Sequence, residues 1–212
     1  MCSAFSPTAP TANKLLPEHD DQPLLEDGMY GPRGWSVEAG VWKVLNHWPD
    51  QLRDLSELLG QAPGPAQKGC LEASGWPQED YVPFAGLDAR GAAALLDALP
   101  ARALADRQNL APSLRTLLHA CASGKGRVRL SGYAIGPQRR DERVSVEAIW
   151  VSDPALAGFA VSTSHTPGCD CHALWEEVRV RYQLDAEDMP DEILRLAPAW
   201  AKGQEGWWFW WD

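Results

Sequence analysis

Two alternating runs separated by a polar turn constrain this chain most. In residues 127–135, Val128 and Leu130 point one way while Arg127, Arg129 and Ser131 point the other. A side-chain period of two is the mark of a β-strand. Residues 136–142 then break the pattern with Gly136, Pro137 and charged side chains. Alternation resumes in residues 143–151 and predicts Val144, Val146, Ala148 and Trp150 on one face. Two such runs around a polar loop predict an antiparallel hairpin. Asp153 and Pro154 make the next turn, and residues 158–164 are expected to add a third strand.

A small sheet must bury one face against something. The predicted cover is a helix over about 170–183. Its Asp170 is placed to cap the first turn, and Leu174, Trp175, Val178 and Tyr182 recur at helical spacing. The N-terminal half reads as helical. Ser36 is expected to cap a helix carrying Val37, Val41, Val44, Leu45 and Trp48, stopped by Pro49. Asp50 caps a second, with Leu52, Leu55, Leu58 and Leu59, closed by Gly60. Asp88 caps an alanine-rich helix over 89–99, and a short helix is expected over 101–107. Pro112 opens a further one with Leu114, Leu117, Leu118 and Cys121 on one face. Residues 189–196, with Pro190 in the first turn, read as a last short helix.

Between these lie two less regular segments. Residues 1–34 are rich in Pro, Asp and Glu and are expected to form a mobile acidic tail. Residues 61–84 form a long connection rich in Pro and Gly, with Trp76, Tyr81 and Phe84 to pack it down. The expected fold is α+β. A helical N-terminal half packs on a small antiparallel sheet at about 127–164, within a single compact domain of residues 35–212.

The chain closes on Trp207, Trp208, Phe209, Trp210 and Trp211. Each ring can bury about 150–250 Å². The run reads as a last strand with rings on both faces. The alternative is a partner-binding surface, because Trp is enriched at binding hot spots.

Charge is uneven along the 212 residues. Residues 1–100 carry 14 acids against 6 bases, residues 101–145 carry 3 against 9, and residues 146–212 carry 12 against 4. A basic middle between acidic ends neutralises itself, or presents a positive patch to an anion. The anion-binding candidates are Arg127, Arg129, Arg139, Arg140 and Arg143, since a two-stranded ribbon fits a DNA major groove and guanidinium suits phosphate. The net charge of −10 opposes nucleic acid at long range.

The metal-ligand candidates are His165, Cys169, Cys171 and His172. Thiolate and imidazole are the preferred ligands of zinc, usually four in a tetrahedron. Zinc is the one cofactor this turn suggests, and a ligand from elsewhere, such as His119 or Cys121, would complete it. The same turn can be read as a reactive thiol at a helix N-terminus. Five cysteines give no disulfide framework. No nucleophile elbow, His-Glu-x-x-His motif or phosphate loop is present, so no catalytic residue is assigned. No apolar run reaches the roughly 20 residues that span a bilayer, and no signal peptide opens the chain. These readings predict a cytoplasmic, acidic, non-enzymatic interaction or accessory protein of bacterial composition, with a protein partner of unspecified identity. The alternative is a metal- or thiol-dependent protein centred on residues 165–172.

Overall fold

The computed structural model describes residues 28–46, 71–72 and 75–212. Its architecture is α+β. A five-stranded antiparallel sheet runs in the order β1-β2-β3-β5-β4. The strands are β1 Tyr81–Leu87, β2 Val128–Ile135, β3 Arg143–Val151, β4 Glu192–Leu196 and β5 Gly206–Trp210. The helices are α1 Trp35–Glu38, α2 Val41–Leu45, α3 Ala89–Ala98, α4 Ala101–Leu104, α5 Leu114–Ser123 and α6 Cys171–Arg181.

The hairpin read from alternation is β2–β3, but its pairing carries an irregularity. Ser131 pairs with Ala148 while the next residue, Gly132, pairs with Val146, which leaves Glu147 as an extra residue. A β-bulge of this kind shifts the side-chain alternation beyond it. Val144 and Val146 therefore join the main core together with Ile149 and Val151. Ala148 and Trp150 turn to the opposite face. The sequence expectation of one shared face for all four is corrected here. β1 also bulges at this level, where Ala85 and Gly86 stand opposite Ser131. Gly86 has φ +69° and donates its N–H to Ser131 Oγ at 3.2 Å. Gly132 is required between the two bulges, since a Cβ there would collide with the Ser145 carbonyl and the Val146 backbone.

Three further elements depart from the sequence reading. Residues 158–164 form no strand; a 3₁₀ turn at Pro154–Leu156 is followed by irregular chain. Residues 189–196 are not a helix but contain edge strand β4. The other edge, β1, comes from the Pro-rich connection, where Pro83 is tolerated because an edge strand can lack a ladder donor. The expected helix over 50–60 lies outside the described residues, as do residues 1–27. Residues 28–34, assigned by sequence to the mobile tail, are fixed against the hairpin. Met29 N–H donates to the Arg140 carbonyl at 3.2 Å, and Arg33 donates to the Gln138 carbonyl at 2.8 Å.

The helical half follows its apolar spacing more closely. Asp88 caps α3 by accepting from Arg90 and Gly91 amides at 3.0 Å. Ser113, rather than a residue led by Pro112, caps α5. The expected first helix is split, because Gly40 adopts φ +76° between α1 and α2. Ser36 is not its cap but lies within α1. The cap comes from the hairpin: buried Glu142 accepts from the Gly34 and Ser36 amides at 2.8 and 2.9 Å and from the Ser36 hydroxyl. A carboxylate at a helix N-terminus satisfies amides that have no partner within the helix.

The aromatic run is the interior strand β5, held between β3 and β4. Trp207, Phe209 and Trp211 enter the main core, where Trp175 of α6 meets Phe209 at 5.8 Å and Trp211 at 5.4 Å between ring centres. Trp208 and Trp210 pack on the opposite face with Ala148, Trp150, Leu196 and Trp200. Two buried indoles of the sheet find backbone acceptors: Trp207 donates to the Leu156 carbonyl at 3.0 Å and Trp150 to the Leu196 carbonyl at 3.3 Å. No helix among the described residues is long and apolar enough to cross a membrane.

Candidate metal centre

The chain reaches the candidate centre through successive turns. His165 N–H closes one on the Ser162 carbonyl at 3.0 Å, and Cys169 N–H closes the next on Thr166 at 3.0 Å. His165 and Gly168 take positive φ, +46° and +93°. This backbone brings an exposed His165 and the half-buried Cys169 and Cys171 to one side of the turn, the last of them opening α6. Asp170 sits at the N-cap position, but its carboxylate does not cap α6. It accepts from Ala160 N–H at 2.9 Å, and Asp170 N–H donates to the Ala160 carbonyl at 2.8 Å. Asp170 thus pins the loop from outside and leaves its two cysteine neighbours free to converge.

His165, Cys169 and Cys171 offer ligand atoms that all lie within 4.8 Å of one another. Cys171 Sγ lies 3.6 Å from His165 Nδ1. With Zn–S of about 2.3 Å and Zn–N of about 2.0–2.1 Å, the sulfur–nitrogen edge of a tetrahedron is about 3.5 Å. The observed separation therefore matches two ligands of one ion. Ser162 N–H donates to Cys169 Sγ at 3.4 Å. That amide contact leads the effects holding the Cys169 thiol below its ordinary value. Burial, then the neighbouring Cys169, pushes the Cys171 thiol up. Cys169 is thus the readier thiolate of the pair.

The fourth sequence candidate, His172, is not brought in. It is exposed and follows Cys171 on a helix, where adjacent residues do not share a face. Neither suggested outside ligand joins. Cys121 is buried in the core with its thiol 3.4 Å from the Leu87 and Val128 carbonyls, and burial pushes it up to about 12. His119 lines a separate cleft with Arg181 and Tyr182.

A cleft of about 200 Å³ adjoins His165 and Cys171 of the cluster. His165, Cys171 and Ser162 form one wall, and Met189, Asp191 and Glu192 at the start of β4 form the other. Sequence reasoning missed this second wall. Asp191 and Glu192 read there as dipole-matching acids of a helix, and nothing in the sequence joins them to residue 165.

The other candidate sites are placed as follows. Trp207, Trp208, Phe209 and Trp211 are buried and Trp210 is half-buried, so the run presents no exposed aromatic face. The arginines are spread over separate contacts. Arg127 lies 3.5 Å from Asp153, and Arg139 and Arg143 share Asp141 at 2.7 and 3.1 Å. The Arg139 guanidinium holds the Asp141 carboxyl below the usual carboxylate range. Arg129 donates to the Gly126 and Val128 carbonyls, and the Arg140 carbonyl receives Met29. Arg127, Arg139 and Arg143 thus share two carboxylates, Asp153 and Asp141, while the Arg129 guanidinium is held by carbonyls.

No protein family, curated protein or solved structure matches this chain. The class defined here is therefore structural: an α+β protein with a five-stranded antiparallel sheet and a His-Cys-Cys cluster at its rim.

Proposed function

We propose that this chain is a metal-binding protein that holds a zinc-class ion with His165, Cys169 and Cys171. The observation that carries the reading is the convergence of two sulfurs and an imidazole nitrogen within 4.8 Å. Soft and borderline donors of this set select zinc over calcium or magnesium, which take oxygen. The Ser162 amide supports the role, because an N–H directed at sulfur stabilises thiolate, the form that binds metal. Bound there, zinc supplies a Lewis acid with room for a further donor.

The competing reading, a protein-docking role for residues 207–211, loses its motivating surface with the burial of those rings.

The test is elemental analysis of protein purified without added metal or a metal-binding tag. One zinc per chain in the wild type, lost in Cys171→Ser and in His165→Ala but kept in His172→Ala, is the expected result. Wild-type protein that neither carries zinc nor takes up zinc or cobalt(II) on addition overturns the proposal.

A further inference from the structure

We infer that the fourth position of this centre opens on the adjoining cleft and accepts an external nitrogen donor, neutral or cationic, in preference to an anion. This rests on the metal reading above and specifies the ligand it would take.

Three observations lead there. First, the ligand set is short by one. Among the described residues no further His, Cys, Asp or Glu places a ligand atom within the shared 4.8 Å. Zinc with three protein ligands completes its shell from outside. Secondly, the outside is the cleft. His165 and Cys171 both line it, and about 200 Å³ is room for a small ligand beside the ion.

Thirdly, the cleft is acidic. Asp191 and Glu192 are its charged lining, with no lysine or arginine among the lining residues. The acid density continues behind them. Asp212 N–H donates to Asp191 Oδ2 at 2.9 Å, which brings the Asp212 end of the chain to this wall. The ion would not offset these charges, because two thiolates already balance a divalent cation. An anion entering the fourth position would meet like charge at close range in a partly enclosed site. A neutral imidazole or amine meets no such repulsion, and a cationic side arm on it gains attraction.

The experiment uses the full chain loaded with cobalt(II), whose visible bands report the number and type of ligands. Imidazole and azide are compared, since both bring nitrogen and they differ in charge. Imidazole is expected to shift the bands at concentrations about tenfold lower than azide, the scale of one repelling charge at this range. Glu192→Gln is expected to narrow that gap at least threefold while leaving the unliganded spectrum intact. Asp191→Asn serves as a second variant, because its side-chain oxygen can still accept from Asp212.

The outcomes separate. Wild-type protein that develops no cobalt bands overturns the metal reading itself. Bands that form but respond to neither probe show a closed site and overturn this inference alone. Azide binding as tightly as imidazole, or a gap unchanged in both variants, overturns the charge selectivity.

Discussion

Residues 206–211 and residues 165–171 are the two most conspicuous runs of the chain, and the fold uses them in opposite ways. The first becomes a strand with a neighbour on each side, and its rings alternate between two cores. The second stays at the rim, where turns and a helix start hold an imidazole and two thiols around a shared point. Trp and Phe are conspicuous because of their area, and area is worth most when removed from water. Cys and His are conspicuous because of their lone pairs, and those serve chemistry only where something can reach them.

The comparison can be broken at several points. Ending the chain at Gly206 should have the largest effect. It removes the strand between β3 and β4 with four buried rings, so circular dichroism and dispersed amide signals should report an unfolded chain. A folded truncation would show that the aromatic strand is dispensable. Phe209→Ala, at a fully buried position, should cost about 3–5 kcal/mol in urea unfolding.

Asp153→Asn comes next. This carboxylate lies in neither region and is bonded to Ala155 N–H at 3.0 Å and the Tyr182 hydroxyl at 3.2 Å, with Arg127 and Arg181 alongside. Burial alone would raise its carboxyl, but those partners outweigh burial and hold it below the ordinary range. A depressed folded value stabilises above the unfolded value of about 3.9 and loses that contribution as pH falls through the folded one. The substitution should cost about 2 kcal/mol at neutral pH, and the deficit should shrink below pH about 4. Urea midpoints at several pH values give the check.

Cys171→Ser in metal-free protein should have the smallest effect, at most about 1 kcal/mol, as expected for a partly exposed side chain packed against the edge of the core. A loss comparable to Phe209→Ala would place the turn with the core instead of the rim.

Much of the fold was legible because it is local. The β2–β3 hairpin, α3, α5 and α6 announce themselves by apolar period, and α3 by its Asp88 cap as well. What was hidden depends on neighbours. The segment around Pro83 and Gly86 looks like a loop until β2 is beside it, where an edge strand tolerates proline and a bulge needs glycine. Pro190, Asp191 and Glu192 imitate a helix start, yet the partner β5 makes the following residues a strand. The Glu147 bulge redirects Ala148 and Trp150, and no pattern within β3 signals it. The same holds at the rim. His165, Cys169 and Cys171 were visible together, His172 was wrongly grouped with them by adjacency, and the acidic wall came from about 20 residues downstream through the sheet order.

That strand order has a consequence for how the protein is made. β5 follows β4 in the chain but is inserted between β3 and β4. During synthesis from the N-terminus, β3 therefore waits with its edge open, and β4 has no partner at all, until residues 206–210 clear the ribosome. An open edge of this kind invites pairing with another chain. The nascent protein passes through a stage in which its most apolar strand is absent and its sheet is receptive. Slowing translation between β3 and β5 should raise co-translational aggregation, and a chaperone that covers strand edges should relieve it.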